Sequence, residues 1–412
     1  MRKVELLAPA GDLERLKIAF IYGADAVYIG GEMFGMRSAA KNFSKEDMKE
    51  GVEFAHKRGK QVFVTLNIIP RSDEFLQLES YLKDLDEIGV DAVIVSDPGM
   101  FTFVQKTLPN MEIHISTQAS TTNSASANFW YNLGAKRVVM ARELSFEEIK
   151  ELRDNTPQDM DIEAFVHGAM CMSYSGKCVI SNYTTGRDAN RGSCAQSCRW
   201  QYTLVEEKED KSYENVIEDI GSSFFFNSKD LCMVEYIPQI FESGITSLKI
   251  EGRMKSTYYV ATVVRAYRMA IDAYYKDPEN WEFNPTWLEE LKKGSHRDYS
   301  TGFYFDRPDE NSSNYKSASY IRNYDFIGIV RDTTEEENIV IVEQRNRMFV
   351  GDDIEVIGPF KDTVKGKILE MYDEEGNEIQ SAPHAKQIVK LKLDVPVDKD
   401  YILRKPIDAI LF

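Results

Sequence analysis

The sequence predicts an α/β chain built on a TIM-type (β/α)8 barrel, followed by a small all-β domain. Three observations carry this. Short segments rich in Val, Ile and Leu recur eight times over residues 4–252, as expected of parallel strands buried on both faces. Amphipathic stretches with helix-capping residues lie between them. From residue 321 the texture changes to alternating apolar and polar residues broken by turn signals, the pattern of an antiparallel sheet.

The strand segments are VELLAP (4–9), AVYIG (26–30), QVFVTLN (61–67), AVIVSD (92–97), EIHISTQ (112–118), RVVMAR (137–142), DIEAFVHG (161–168) and SLKIEG (247–252). Between them, KEDMKEGVEFAHKRG (45–59) reads as a helix capped by Ser44 and stopped by Gly59, and FLQLESYLKDLDEIG (75–89) as another. Eight such units favour a closed barrel over an open doubly wound sheet. The APAGD turn after the first strand is not a dinucleotide-binding loop. The first seven segments begin every 20 to 35 residues, whereas more than 80 separate the seventh from the eighth. An insertion (169–232) therefore leaves the C-terminal end of the seventh strand, on the face where such barrels place their chemistry. A strong helix, TYYVATVVRAYRMAIDAYYK (257–276), follows the eighth strand. The predicted domains are a barrel over 1–280, a helical connector over 281–320, and a C-terminal β-barrel over 321–412. The last holds strands in YDFIGIVRD, NIVIVEQRN, GDDIEVIGP, KGKILEMYD and IVKLKLDVPV.

A chain of 412 residues exceeds one ordinary core, and 43% hydrophobic with 28% charged residues reads as soluble and globular. No apolar signal region follows MRKVELLAPAGD, and no apolar run reaches spanning length. The expectation is a cytoplasmic protein without a membrane partner. The net charge of −17 argues against a generic nucleic-acid coat. A local basic segment remains: Lys177, Arg187, Arg191 and Arg199 against one acid, Asp188. These four are the candidate contacts to RNA phosphates.

All five cysteines lie between 171 and 232, as Cys171-x6-Cys178-x15-Cys194-x3-Cys198 and then Cys232. Cytosolic thiols are kept reduced, which disfavours disulfides. Three readings stand: an iron–sulfur cluster, a four-cysteine zinc site, or a catalytic thiol with His167 or His114 as base. Zinc sites usually present thiolates as tight pairs, and the wide, unequal spacing here suits a larger cluster. A catalytic thiol leaves the other cysteines unexplained. Strand ends add Asn67, Gln118, Arg142, His167, Glu251 and Arg253 to the barrel mouth.

Four stretches, LAPAGDLERLKIAFIYGADAVYIGG, HGAMCMSYSGKCVISNYTTGRDANRGSCAQSCRW, NSKDLC and SLKIEGRMKS, resemble peptidase family U32, long labelled collagenase-like. The resemblance runs over the barrel and into the C-terminal domain. It is strongest to the branch of bacterial tRNA hydroxylation proteins. It implies oxygen-independent hydroxylation of tRNA wobble uridine to 5-hydroxyuridine, dependent on a [4Fe–4S] cluster, with prephenate as hydroxyl donor or cosubstrate. Cys171, Cys178 and Cys194 match cluster ligands, while Cys198 and Cys232 compete for the fourth place. A dicarboxylate such as prephenate needs cationic partners. Arg142, Arg253 and Lys229 are the candidates, with Asn67 and Gln118 beside them and His167 and Glu251 in catalytic roles. Glu251 and Arg253 could instead form an ion pair that closes the barrel. Implied partners are tRNA and, as in some relatives, a shorter U32 paralogue. Alternatives are a peptidase, an rRNA hydroxylase, and a non-enzymatic RNA-binding protein with structural zinc. The stretch RNRMFVGDDIEVIGP also resembles β-barrels appended to translation factors and RNA-modifying enzymes.

Overall fold

The computed structural model describes residues 3–36, 42–203, 205–207, 213–215, 224, 226–307, 313–315, 317–336 and 338–411. Of the predicted insertion, residues 204, 208–212, 216–223 and 225 lie outside the described residues. The chain divides into two compact units. The first holds residues 1–17, 25–255 and 297–319, and the second holds 18–24, 256–296 and 320–412.

In the first unit, β1 (Glu5–Pro9), β2 (Ala26–Ile29), β3 (Gln61–Leu66), β4 (Ala92–Val95), β5 (Glu112–Ile115), β6 (Arg137–Val139) and β7 (Asp161–Ala169) are parallel neighbours in sequence order. A hairpin of β8 (Val205–Glu207) and β9 (Tyr213–Asn215) and a short strand β10 (Asp230–Cys232) precede β11 (Ser247–Ile250). β11 pairs in parallel with both β7 and β1, which closes the ring at the expected eight strands. Helices α1 (Leu13–Ile21), α2 (Lys45–His56), α3 (Phe75–Ile88), α4 (Pro98–Thr107), α5 (Ser124–Asn132) and α6 (Phe146–Asp154) alternate with the first seven strands. Their starts are written in the sequence. Ser44, Asp97, Asn123 and Ser145 each accept a backbone N–H of the first turn, worth about 1 kcal/mol apiece. Two shorter helices, α7 (Ile180–Thr185) and α8 (Ile237–Glu242), lie between β7 and β11.

The barrel interior is polar on one side and apolar on the other. Leu7, Ala26, Tyr28, Phe63, Ala92 and Ile94 form one apolar cluster. Arg137 of β6 donates to Glu5 of β1 at 2.6 Å and to Glu163 of β7 at 2.9 Å. β6 and β1 are not neighbours in the ring, so the Arg137–Glu5 contact crosses the lumen. Lys249 of β11 donates to the other Glu163 oxygen at 2.6 Å and lies 4.5 Å from the Tyr28 ring centroid. Burial pushes the Glu163 carboxyl upward, but the charges of Lys249 and Arg137 outweigh it and hold it down to about 2. Burial pushes the Lys249 ammonium below its ordinary range, opposed by Glu163. With two cations on one carboxylate, the ionised form of Glu163 is the stable one.

The upper end of β7 has a second partner. β10 runs antiparallel to it, matching Asp230 with Ala169, Leu231 with Gly168 and Cys232 with His167. A two-residue strand, β12 (Tyr299–Ser300), adds to β10 in parallel.

The second unit begins its regular structure with α9 (Thr257–Lys276) and α10 (Pro285–Lys293). Among its described residues, the expected helical connector over 281–320 is α-helical only across α10. Asn284 caps that helix, Gly294 follows it, and the segment from Arg297 belongs to the first unit. Next come β13 (Ile321–Thr333), β14 (Ile339–Gln344), β15 (Met348–Phe349), β16 (Asp353–Ile357), β17 (Val364–Tyr372), β18 (Ser381–Ala382), β19 (Ile388–Leu393) and β20 (Ile402–Leu411). Six of them close a barrel in the order β13-β14-β19-β17-β16-β20. The sequence reading missed β20, whose Pro406 argues against a strand. The proline is accommodated beside a register shift in β13 between Arg322 and Tyr324. Arg404 of β20, fully buried, donates to both oxygens of Glu290 at 2.7 and 2.8 Å and to Glu355. Among the described residues no helix is long and apolar enough to cross a membrane.

Replacing Glu163 by Gln should cost about 3–5 kcal/mol, because Lys249 and Arg137 lose the carboxylate between them. Urea denaturation measures it. Because the folded carboxyl titrates at about 2 against 4.5 for the free group, its contribution is full above about pH 4.5 and lost as pH falls toward 2. Acid unfolding should therefore be shallower in Glu163→Gln than in the wild type.

Candidate functional site

The carboxyl ends of the barrel strands bring the rim candidates to one face. Asn67, just past β3, accepts from the Met36 amide at 3.2 Å and donates to Ser116 Oγ at 3.4 Å. Gln118 is buried, and its Oε1 has no hydrogen-bond partner. A buried amide oxygen left unpaired needs a reason. Arg142 donates to the Ala169 carbonyl at 3.0 Å, and its guanidinium lies 3.9 Å from the Phe165 ring centroid. Arg253, also buried, donates Nη1 to Thr65 Oγ1 at 3.0 Å. The same nitrogen lies 2.2 Å from where a Cβ on Gly30 would stand, so the glycine leaves room for the guanidinium. The Glu251 amide donates to the His167 carbonyl at 2.8 Å. His167 is only 1% exposed, with its ring 5.5 Å from that of Tyr299. It belongs to the floor of the site. Lys229, next to β10, is half-buried.

Above this rim sits the cysteine segment, which contains little regular structure and is held by side chains bonding to backbone. Asn190 clamps Cys178 from both sides, accepting its N–H at 3.0 Å and donating to its carbonyl at 2.9 Å. Glu143 accepts from the Ser175 amide at 2.5 Å and from its hydroxyl at 2.7 Å, fixing the turn between Cys171 and Cys178. Arg187 donates to the carbonyls of Ser193 and Cys194. Arg199 ties the turn carrying Cys198 to the strand end before Cys171, donating to the Met170 carbonyl at 2.7 Å and the Ser228 carbonyl at 2.6 Å. Arg199 also donates to Asn227 Oδ1, and Asn227 is itself fully buried. Arg191 forms a two-pronged pair with Glu74 at 2.8 and 2.7 Å. Of the four cations expected to meet RNA phosphates, Arg187, Arg191 and Arg199 thus commit donors to the fold, while Lys177 and Arg187 are exposed.

Four partly buried thiols, Cys171, Cys178, Cys194 and Cys198, lie on this segment. Burial raises the Cys198 thiol above its ordinary range; Arg199 opposes this, and Cys171, Cys194 and Cys178 add to it. Cys232 is buried in β10, in register with His167 of β7. The Gln196 amide donates to Cys194 Sγ at 3.3 Å, a contact of the kind that tunes thiolate ligands. Among the described residues no three His, Cys, Asp or Glu side chains close on a single ion. What the segment offers is four soft donors within 28 residues of chain. The sequence reading missed Asn190, Asn227, Glu143 and Glu74 as supports. Asn190 sits in DANRG and Asn227 in NSKD, inside the quoted motifs, but their partners are remote in sequence.

The model of peptidase family U32 matches residues 11–314, and that of the U32 C-terminal domain matches 322–404. The chain is 46% identical to tRNA hydroxylation protein P1 of Bacillus subtilis, covering 98% of this chain and 95% of the relative. It is 35% identical to tRNA hydroxylation protein P of Escherichia coli, covering 98% and 96%. A protein named collagenase from Porphyromonas gingivalis is 30% identical over 96% and 97%.

Brief alkylation of the reduced, metal-free chain, read by peptide mass spectrometry, should modify Cys171, Cys178, Cys194 and Cys198 well before Cys232. Equal labelling of Cys232 would contradict its place in β10.

Proposed function

The chain belongs to peptidase family U32, and from that premise we propose that it hydroxylates tRNA at the wobble uridine, giving 5-hydroxyuridine. We further propose a [4Fe–4S] cluster held by Cys171, Cys178, Cys194 and Cys198, with prephenate as hydroxyl donor or cosubstrate. The observation that carries this reading is the set of four partly buried thiols on the segment that follows β7, in a chain 46% identical along its length to a tRNA hydroxylation protein. The fit rests on donor chemistry: four thiols and an N–H to one sulfur suit a thiolate-held cluster.

When bound, such a cluster supplies the redox capacity that amino-acid side chains lack. The chain's own part is to hold and orient. Asn190, Arg187 and Arg199 fix the backbone at Cys178, Cys194 and Cys171. Arg253 and Arg142 present guanidinium groups at the mouth for a dicarboxylate, with Lys229 beside them. The unpaired Gln118 oxygen accepts a donor from the bound molecule, and Asn67 borders it. Glu251 is the acid–base candidate at the rim, and His167 supports it from the floor through its carbonyl. The substrate is tRNA, with a shorter paralogue of the family as a possible second component.

Cys198→Ser should lose the visible thiolate-to-iron absorption and leave tRNA without 5-hydroxyuridine, by nucleoside mass spectrometry of a complemented deletion strain. Cys232→Ser should retain both. The opposite result would exchange the two residues as fourth ligand. Modified rRNA cytidine instead of tRNA uridine would redirect the substrate, and gelatin cleavage by the wild type would favour a peptidase. Arg253→Lys should raise the KM for the carboxylate cosubstrate about tenfold or more, the worth of a lost charged hydrogen bond. An unchanged KM would remove Arg253 from the binding set.

A further inference from the structure

The cysteine segment exposes apolar and aromatic side chains that no cluster requires. Tyr183 is 92% exposed, Tyr174 55% and Trp200 44%. Val179 lies four residues before Tyr183, is also exposed, and its carbonyl accepts the Tyr183 amide, so the two share one side of the α7 turn. Large exposed aromatics on a segment held this firmly are not slack loop residues. The turn that ends in Trp200 is tied to α7 through Thr184 and Ser197, whose hydroxyls lie 2.7 Å apart.

We infer that Tyr183, Trp200 and Tyr174 form a stacking platform for unpaired RNA bases, with Lys177 and Arg187 supplying the phosphate contacts. Charge decides the occupant. The whole chain carries −17, yet this segment keeps Lys177, Arg187 and Arg199 against Asp188 after Arg191 pairs with Glu74, so it attracts a polyanion that the rest of the surface repels. Aromatic faces interleaved with cations are how proteins hold single-stranded nucleic acid, since every base has a π-face and duplex bases cannot reach one. A protein partner would leave the local excess of positive charge unexplained. The platform deepens the tRNA reading and rests on it: it lies on the segment that carries the four thiols and would take a nucleotide unstacked from its loop.

The test is fluorescence anisotropy of the cluster-loaded protein with labelled oligouridylate and with a blunt RNA duplex of equal length. The wild type should prefer the single strand. Tyr183→Ala combined with Trp200→Ala should weaken oligouridylate binding about 5- to 150-fold, the range for loss of one stacked base. Tyr183→Phe combined with Trp200→Phe should restore it. Iron content and circular dichroism equal to wild type would show that the alanine variant is folded. Unchanged affinity in that variant, a preference for duplex, or no RNA binding by the wild type, as for a surface that docks a protein, would each overturn the proposal. Failure here is separable from failure of the hydroxylation reading. Aromatic-dependent binding with unmodified tRNA would sink only the latter, and full modification by the alanine variant only the former.

Discussion

The double pairing of β7 is the constraint on which the rest of the site depends. Its lower residues lie between β6 and β11 in the ring, and its last three pair antiparallel with β10. A slip of one residue would turn Glu163 out of the lumen and His167 out of the floor. Gly168 makes the arrangement possible. Its φ is +109°, and a Cβ there would stand 2.6 Å from the Glu251 carbonyl oxygen. Cys171 follows three residues later, so the position of the first thiol is inherited from the barrel's own closure.

Beyond β7 the chain has little hydrogen-bonded structure to order it, and side chains take over. Asn190, Glu143, Arg187 and Arg199 each bond to backbone atoms, so the cost of ordering the segment is offset without helix or sheet. This has a functional consequence. Thiols carried on bonded backbone are pre-organised, and removing a support would loosen a thiol without touching sulfur.

Each unit also buries a many-toothed ion network. In the first, Glu163 is shared by Lys249 and Arg137. In the second, Arg404 is shared by Glu290 and Glu355. A lone buried pair seldom recovers its desolvation cost, whereas a charge with several bonded partners does so more nearly and rejects other packings. Within the second unit the Arg404 network joins α10 to the barrel strands, which is why the helix after Asn284 belongs with that barrel.

By itself the sequence determined the eight barrel strands, several of the helices between and after them, and the change to an antiparallel domain. These are local signals: apolar runs, caps and spacing act over a few residues. The family motifs also singled out the cysteines. The different surroundings of Cys198 and Cys232 were shown only by tertiary structure: Cys232 enters a strand paired with His167, while Arg199 ties the turn carrying Cys198 to Met170, next to Cys171. The commitments of Arg191 to Glu74 and Arg253 to Thr65 were equally invisible, as was β20 behind its proline. Spacing along a chain cannot show which remote groups will be brought within 3 Å. That depends on closure of the barrel, which no local stretch encodes.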